Sequence, residues 1–316
     1  MLISFIIPVY NVAAHMLLDC IESILALPLN ADECEIIVVD DGSAQPVKAL
    51  LNDHCIRCVR TPHQGVAAAR NTALEMAQGH YVQFIDADDM LLTTPYTHIL
   101  GLVKTLTADI VMFEFTHSAS KPGLRWTVSK VTSGTTLMST QNIHGAVWSY
   151  IFKRGLCENI RFRKGVNYAE DEEFTALLML KAQSVVRTSA PAYFYRQHAA
   201  SAISRSTTQK QLQRIDDNRK VIVRLKSHCD ALPPDSRKAL KRRVAQLTMD
   251  HIYNIIVLTR SRSCLQQQLD NLRQEGLFPL PHGEYTKKYK YFRHMTRNAL
   301  GRRLLLWLLP LMHKER

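Results

Sequence analysis

Three carboxylates crowd one short stretch of this chain, Tyr81-Val82-Gln83-Phe84-Ile85-Asp86-Ala87-Asp88-Asp89. Like charges this close repel and lose solvation, so a strand end tolerates them where a divalent cation or a hydrogen-bonding ligand neutralises them. A divalent cation held there would act as a Lewis acid on a phosphate. Carboxylates bound to metal accept protons poorly, so a base has to come from elsewhere. Tyr168-Ala169-Glu170-Asp171-Glu172-Glu173-Phe174 offers one, at a predicted helix start where the dipole stabilises anions. A further acidic pair, Asp40-Asp41, precedes Gly42-Ser43. Asp41 could accept from a nucleobase N3–H while the backbone of Pro8, Val9 and Tyr10 lines base and ribose; Asp40 reads as a turn former. The pattern points to metal-assisted chemistry on a nucleotide-linked substrate.

Those side chains need a scaffold. Ile3 to Asn11 is an apolar run closed by Pro8 and a polar turn, and Glu35 to Ser43 is another, stopped by two aspartates and a glycine. Consecutive burial of this kind marks central strands of a parallel sheet covered on both faces. Between them, Ala14 to Leu27 spaces Leu17, Ile21, Ile24 and Leu25 for a helix. Further on, the pattern predicts a short helix over Val47–Asp53, a strand over Ile56–Arg60 and an alanine-rich helix from Gly65 to Gln78, stopped by Gly79. The acidic strand follows, then a helix over Tyr96–Leu106 and a strand over Asp109–Phe115. Thr116 to Thr140 reads as loops and hairpin strands, Ala169–Ala182 as a helix and Val185–Arg196 as extended. The alternation implies an α/β fold with a doubly wound, mostly parallel sheet, which binds ligands at strand C-termini.

Six pieces in order carry a resemblance: Pro8-Val9-Tyr10-Asn11, Val39 to Ser43, Gly65 to Asn71, Gly79 to Val82, Phe84 to Asp89, and Glu170-Asp171. The chain resembles the family 2 glycosyltransferases, inverting enzymes of the GT-A fold, over about its first two thirds. By that resemblance Asp88 is the direct ligand of Mn2+ or Mg2+, Asp86 contacts the ribose or a water-mediated partner, and Arg70 helps hold the nucleotide. Asp171 becomes the general base that takes the acceptor's hydroxyl proton, with Glu170 orienting it. Asp89 either joins the metal or holds the loop. Tyr195-Arg196-Gln197-His198 also resembles the family's segment after the base, which puts Arg196 at the phosphates and His198 either at the metal or diphosphate or in a purely polar role. Ala73 replaces a glycine often found there, a departure that touches packing rather than chemistry. The Gln-x-x-Arg-Trp signature of processive polymerases is absent, which implies one sugar per encounter. Trp148 either stacks on an acceptor sugar or packs in the core.

The implied function is transfer of a sugar from a nucleotide-diphosphate donor, UDP-linked, to a glycan or lipid-linked acceptor in cell-envelope polysaccharide synthesis. A nucleotidyltransferase would also gather aspartates on an α/β sheet, yet Pro8 to Ala14 lacks a glycine-rich, lysine-bearing loop. The absence of Gly-x-Gly-x-x-Gly after the first strand excludes a dinucleotide-binding dehydrogenase.

Charge divides the 316 residues unevenly. Residues 207 to 316 hold 23 Lys and Arg against 9 Asp and Glu, a surplus of 14, so the rest of the chain carries −2 within the total of +12. This predicts a catalytic region over 1–206 and a basic helical region over 207–316, with helix breaks at Pro233-Pro234 and Pro279 to Gly283. Residues 296–316 combine leucines with flanking cations, as a segment lying on an anionic membrane surface does; the alternative packs those leucines on the catalytic domain. A nucleic-acid partner is not expected, because the aromatic interleaving of such modules is missing. Seven scattered cysteines fit a reducing compartment, and Cys55-Ile56-Arg57-Cys58 has no second pair to complete a zinc site. Met1 to Tyr10 lacks a secretion pattern and Leu304 to Met312 is too short to span a bilayer. The expected location is cytoplasmic, peripheral on the inner face of the membrane.

Overall fold

The computed structural model describes residues 1–51, 56–118, 123, 125–166, 168–197, 208–283 and 285–313. Two compact units divide the chain, one of Met1–Gly134 with His144–Arg205, the other of Thr135–Ile143 with Ser206–Arg316.

The first unit begins β1 (Ile3–Val9), α1 (Ala14–Leu25), β2 (Cys34–Asp40), β3 (Ile56–Arg60), α2 (Val66–Met76) and β4 (Tyr81–Phe84). Next come β5 (Met90–Leu91), α3 (Thr93–Leu106) and β6 (Ile110–Thr116); α4 (Gly134–Thr140) precedes β7 (Tyr150–Lys153), α5 (Glu170–Lys181) and β8 (Val185–Phe194). Among the described residues the strands form one sheet of order β3-β2-β1-β4-β7-β6-β8-β5. β3, β2, β1 and β4 run parallel, as do β6 and β8, whereas β7 pairs antiparallel with both β4 and β6. Ile3, Phe5, Ile6, Ile7, Val38 and Val39 are fully buried, so both faces of β1 and β2 are covered, each side chain contributing roughly 1.5–3 kcal/mol.

Parallel register aligns the strand ends. Val9 lies opposite Asp40, and Ile85 N donates to Ile6 O at 2.9 Å, so the chain leaves β1, β2 and β4 at one edge of the sheet with β1 in the middle. The opposite edge needs a glycine: a Cβ on Gly79 would sit 2.5 Å from the backbone nitrogen of Ser4. Leu17, Ile21 and Ile24 of α1 are buried as their spacing predicts, while Leu25, in the helix's last turn, is exposed.

The second unit contains α6 (Thr208–His228), α7 (Pro234–Thr259), α8 (Arg262–Gln274), α9 (Lys287–Arg297) and α10 (Ala299–His313). Pro234 occupies the first turn of α7, where a missing N–H costs nothing. The stretch around α4, expected as loop, belongs here because two buried arginines of α7 take its carbonyls. Arg242 donates to Met138 O at 3.2 Å and Gln141 O at 2.6 Å, and Arg243 to Ile143 O at 2.9 Å.

Candidate active site

The acidic strand end alternates. Ala87 and Asp89 are buried, whereas Asp86 and Asp88 remain half-exposed. Asp89 faces inward and is held by Tyr193: its Oδ2 accepts from the Tyr193 hydroxyl at 2.8 Å, and that hydroxyl accepts from Asp86 N at 3.0 Å. Asp89 Oδ1 also accepts from Arg196 N at 2.8 Å. Burial, joined by the charge of Asp86, pushes the Asp89 carboxyl up to about 8 despite those donors. The Arg196 guanidinium grips the same loop through Asp88 O at 2.9 Å and reaches Asp19 at 2.8 Å.

Arg70 gathers the rest. Carried on α2, its guanidinium reaches Asp86 Oδ1 at 3.2 Å, Glu170 Oε1 at 2.9 Å and Asp171 Oδ1 at 2.5 Å, resting on the ring faces of Phe162 and Phe84. Burial works to lower its pKa, but the charges of Asp171, Asp86 and Glu170 outweigh it and hold Arg70 above its ordinary value. Burial raises Asp86 to about 6, with Asp171 and Asp88 opposing the pull of Arg70. Glu170 moves up as well, through burial and then the charge of Asp171. One cation therefore serves three carboxylates, with Asp88 beside them. Glu170 and Asp171 open α5 straight after Ala169, whose left-handed backbone (φ 65°) turns both into the cluster from the helix N-terminus.

Asp41 organises the neighbouring strand end. Its two oxygens accept from Gln64 N at 2.9 Å and Gly65 N at 2.8 Å, which ties β2 to the start of α2 and thereby places Arg70. His63 Nδ1 lies 2.9 Å from Asp41 Oδ2, and the His63 ring stacks on Tyr10 at 3.9 Å, giving a half-open aromatic ledge beyond β1. Asp40 is structural: it accepts from Ser43 N at 2.8 Å and from Arg60 at 3.3 Å. Val9 is buried, Pro8 half-buried and Tyr10 exposed.

Against this geometry, residues 4–168, just over half of the chain, match the family model described as Glycosyl transferase family 2. The chain belongs to glycosyltransferase family 2. The uncharacterised glycosyltransferase EpsJ of Bacillus subtilis is 28% identical over 218 residues, covering 63% of this chain and 62% of that protein. The minor teichoic acid biosynthesis protein GgaB of the same organism is 25% identical over 220 residues, 66% of this chain and 24% of its own length. The chain thus spans less than two thirds of the length of these curated relatives. Among solved structures, S. aureus TarS 1-349 in complex with UDP-GlcNAc superimposes with a TM-score of 0.70 at 17% identity, over 100% of this chain and 92% of that one. A mannosyltransferase from Pyrobaculum calidifontis, solved with GDP-Man and Mn2+, gives 0.56 at 16% identity over 99% of this chain and 87% of that one. The fold is GT-A.

The family member brings together Arg70, Asp86, Asp88, Asp89, Glu170 and Asp171, and sets Pro8, Val9, Tyr10 and Asp41 on the adjoining strand ends. Trp148 is buried in an aromatic stack with Tyr193 at 4.4 Å and Tyr195 at 5.8 Å. His198 and Cys55 lie outside the described residues. Two participants escaped the sequence reading. His63 left a faint signal, two residues before the glycine that opens α2; Tyr193 left none, being one of several aromatics in a buried strand.

The donor set fits Mn2+ or Mg2+. Such ions take oxygen ligands and commonly use only one or two carboxylates with the substrate's phosphates and water. Asp86 and Asp88 offer half-exposed oxygens beside a cluster that carries more negative than positive charge. Among the described residues no group of three His, Cys, Asp or Glu forms a preassembled cage.

Proposed function

We propose that this protein transfers one sugar from a nucleoside-diphosphate sugar, UDP-linked, to a hydroxyl of a glycan or lipid-linked acceptor, with inversion at the anomeric carbon, in cell-envelope polysaccharide assembly. The observation that carries this reading is Arg70, which ties a donor-side carboxylate, Asp86, to an acceptor-side carboxylate, Asp171. Relatives named for teichoic acid synthesis and the neighbour solved with UDP-GlcNAc support the substrate class.

The nucleotide base rests on the Tyr10–His63 ledge, with Asp41 at its edge through lone pairs that its two backbone donors leave over. Asp88 and Asp86 would hold the divalent cation, with Arg196 toward the phosphates. When bound, that cation supplies the Lewis acidity that offsets charge on the departing diphosphate. Arg70 clamps the Asp171 carboxylate in one orientation. Its second oxygen, Oδ2, which lies 3.4 Å from Val147 N, takes the proton from the acceptor hydroxyl. Glu170, whose pKa is raised by burial and then by the charge of Asp171, sits beside that base on the same guanidinium and supports its position.

The deciding experiment screens UDP-, GDP- and TDP-sugars for donor turnover with Mn2+ or Mg2+ and follows the anomeric configuration of the product by NMR. Turnover of a UDP-sugar with an inverted product is expected. Retention of configuration, or no turnover of any nucleotide sugar, overturns the reading.

A further inference from the structure

Among the described residues, none covers one face of helix α10. Leu300, Leu304, Trp307 and Leu311 are 76%, 45%, 65% and 52% exposed, while Leu305 is buried. Their spacing of four, three and four residues keeps them within one narrow stripe of a helix that advances 100° per residue. Four large apolar side chains aligned in water are not an ordinary surface scatter.

Charge surrounds the stripe. From Tyr285 to His313 the sequence has seven Lys and Arg and no Asp or Glu. Lys287, Lys288 and Lys290 are exposed on α9, and Arg303 on α10. Between α8 and α10, Arg262, Arg302 and Arg303 line a hollow together with Leu265, Gln266 and Leu306. Arg302 spends one N–H on Thr296 O at 3.0 Å, which fixes it there with donors to spare.

We propose that the α8–α10 edge of the helical unit docks on an anionic lipid bilayer, the stripe entering the boundary between headgroups and acyl chains while Arg262, Arg302 and Arg303 hold lipid phosphates. An apolar stripe flanked by cations is the pattern of a helix that lies in the interface plane. α10 does not cross the membrane: its 15 residues fall short of the roughly 20 required, and no helix among the described residues is long and apolar enough. A second copy of the chain is a poor occupant, because two such faces would bring Arg262, Arg302 and Arg303 against their like. A nucleic acid would use the cations and leave the leucines and Trp307 in water. The inference rests on the helical unit alone and stands or falls separately from the sugar-transfer reading.

Co-sedimentation of the full chain with phosphatidylcholine vesicles, with and without phosphatidylglycerol, tests it. The protein should pellet with the anionic vesicles, at least about tenfold more than with the neutral ones. The double substitution Leu304→Glu/Trp307→Glu should cut that partition about tenfold or more, and Arg262→Gln/Arg303→Gln should lower it severalfold and erase the preference for anionic lipid. Both variants change exposed residues, and an unaltered circular dichroism melt establishes that they fold; Trp307→Ser serves if the double change does not. Failure of the unsubstituted chain to pellet overturns the proposal. So does full binding by the Leu304/Trp307 variant, or a dimer in sedimentation velocity that the same variant dissociates.

Discussion

The sheet holds buried acid at both of its edges, and the two are built differently. At the edge where β1 and β2 begin, Glu35 stands alone among donors: Oε1 accepts from Ser4 Oγ and Gln78 N at 2.7 Å each, and Oε2 accepts from Arg57 at 3.1 Å. One carboxylate has three donors, one of them a cation, so the charge is met in place. At the other edge Arg70 is shared by Asp86, Glu170 and Asp171, with Asp88 half-exposed nearby. There, negative charge exceeds positive, and burial drives Asp86 and Glu170 upward in pKa. Glu35 is supplied with donors by its neighbours, whereas Asp86, Glu170 and Asp171 share one guanidinium.

That contrast can be broken by substitution. Asp171→Asn keeps the shape and an acceptor for Arg70 but cannot take a proton, so transfer should fall about 10³–10⁴-fold, with UDP affinity measured by calorimetry changing less than about threefold. Asp88→Asn should lower transfer roughly 10²–10³-fold and raise the Mn2+ concentration needed for half-maximal rate, because it removes a proposed metal oxygen. If either variant retains full activity, its carboxylate belongs with Glu35 rather than with the working group.

Glu35→Ala makes the converse test. It strands the Ser4 hydroxyl, Gln78 N and Arg57, so denaturant unfolding should show a loss of about 2–4 kcal/mol while the folded fraction keeps its specific activity. An activity loss beyond the folded fraction would abolish the distinction between the two edges.

His251 extends the comparison to the helical unit. It is fully buried on α7, its Nε2 has no partner among the described residues, and burial, then the charge of Arg219, lowers its pKa from the ordinary 6.5 to about 4. The folded state resists protonation that the unfolded state accepts. The His251 contribution to stability is therefore fully present above about pH 6.5 and is lost as pH falls toward 4, by on the order of 2–3 kcal/mol. His251→Gln should flatten that slope in urea titrations at pH 7 and pH 4.5.

Much of the scaffold was legible because its signals are local. The apolar runs of β1 and β2 announce parallel strands, an alanine-rich run between two glycines marks the helix over 66–76, spacing marks the one over 170–181, and carboxylates gather at strand ends. What could not be read is long-range. Nothing near Arg70 announces that two of its partners, Glu170 and Asp171, lie 100 and 101 residues later, nor that Tyr193 supplies the hydroxyl between Asp86 and Asp89. β7 went unforeseen because four residues, Tyr150–Lys153, become a strand only through pairing with β4 and β6. Helix α4 was hidden for a similar reason: its Ser and Thr residues read as loop, and Arg242 and Arg243, which hold Met138 O in it and Gln141 O and Ile143 O just after it, come about a hundred positions later.

The stacking of Trp148 on Tyr193 has an optical consequence. The chain has three tryptophans, and this indole lies 4.4 Å, ring to ring, from a phenol whose oxygen meets both Asp86 N and Asp89. A ligand that shifts the aspartate loop by a few tenths of an ångström would alter the ring overlap and with it the emission, so the folded chain carries its own fluorescent gauge of that loop.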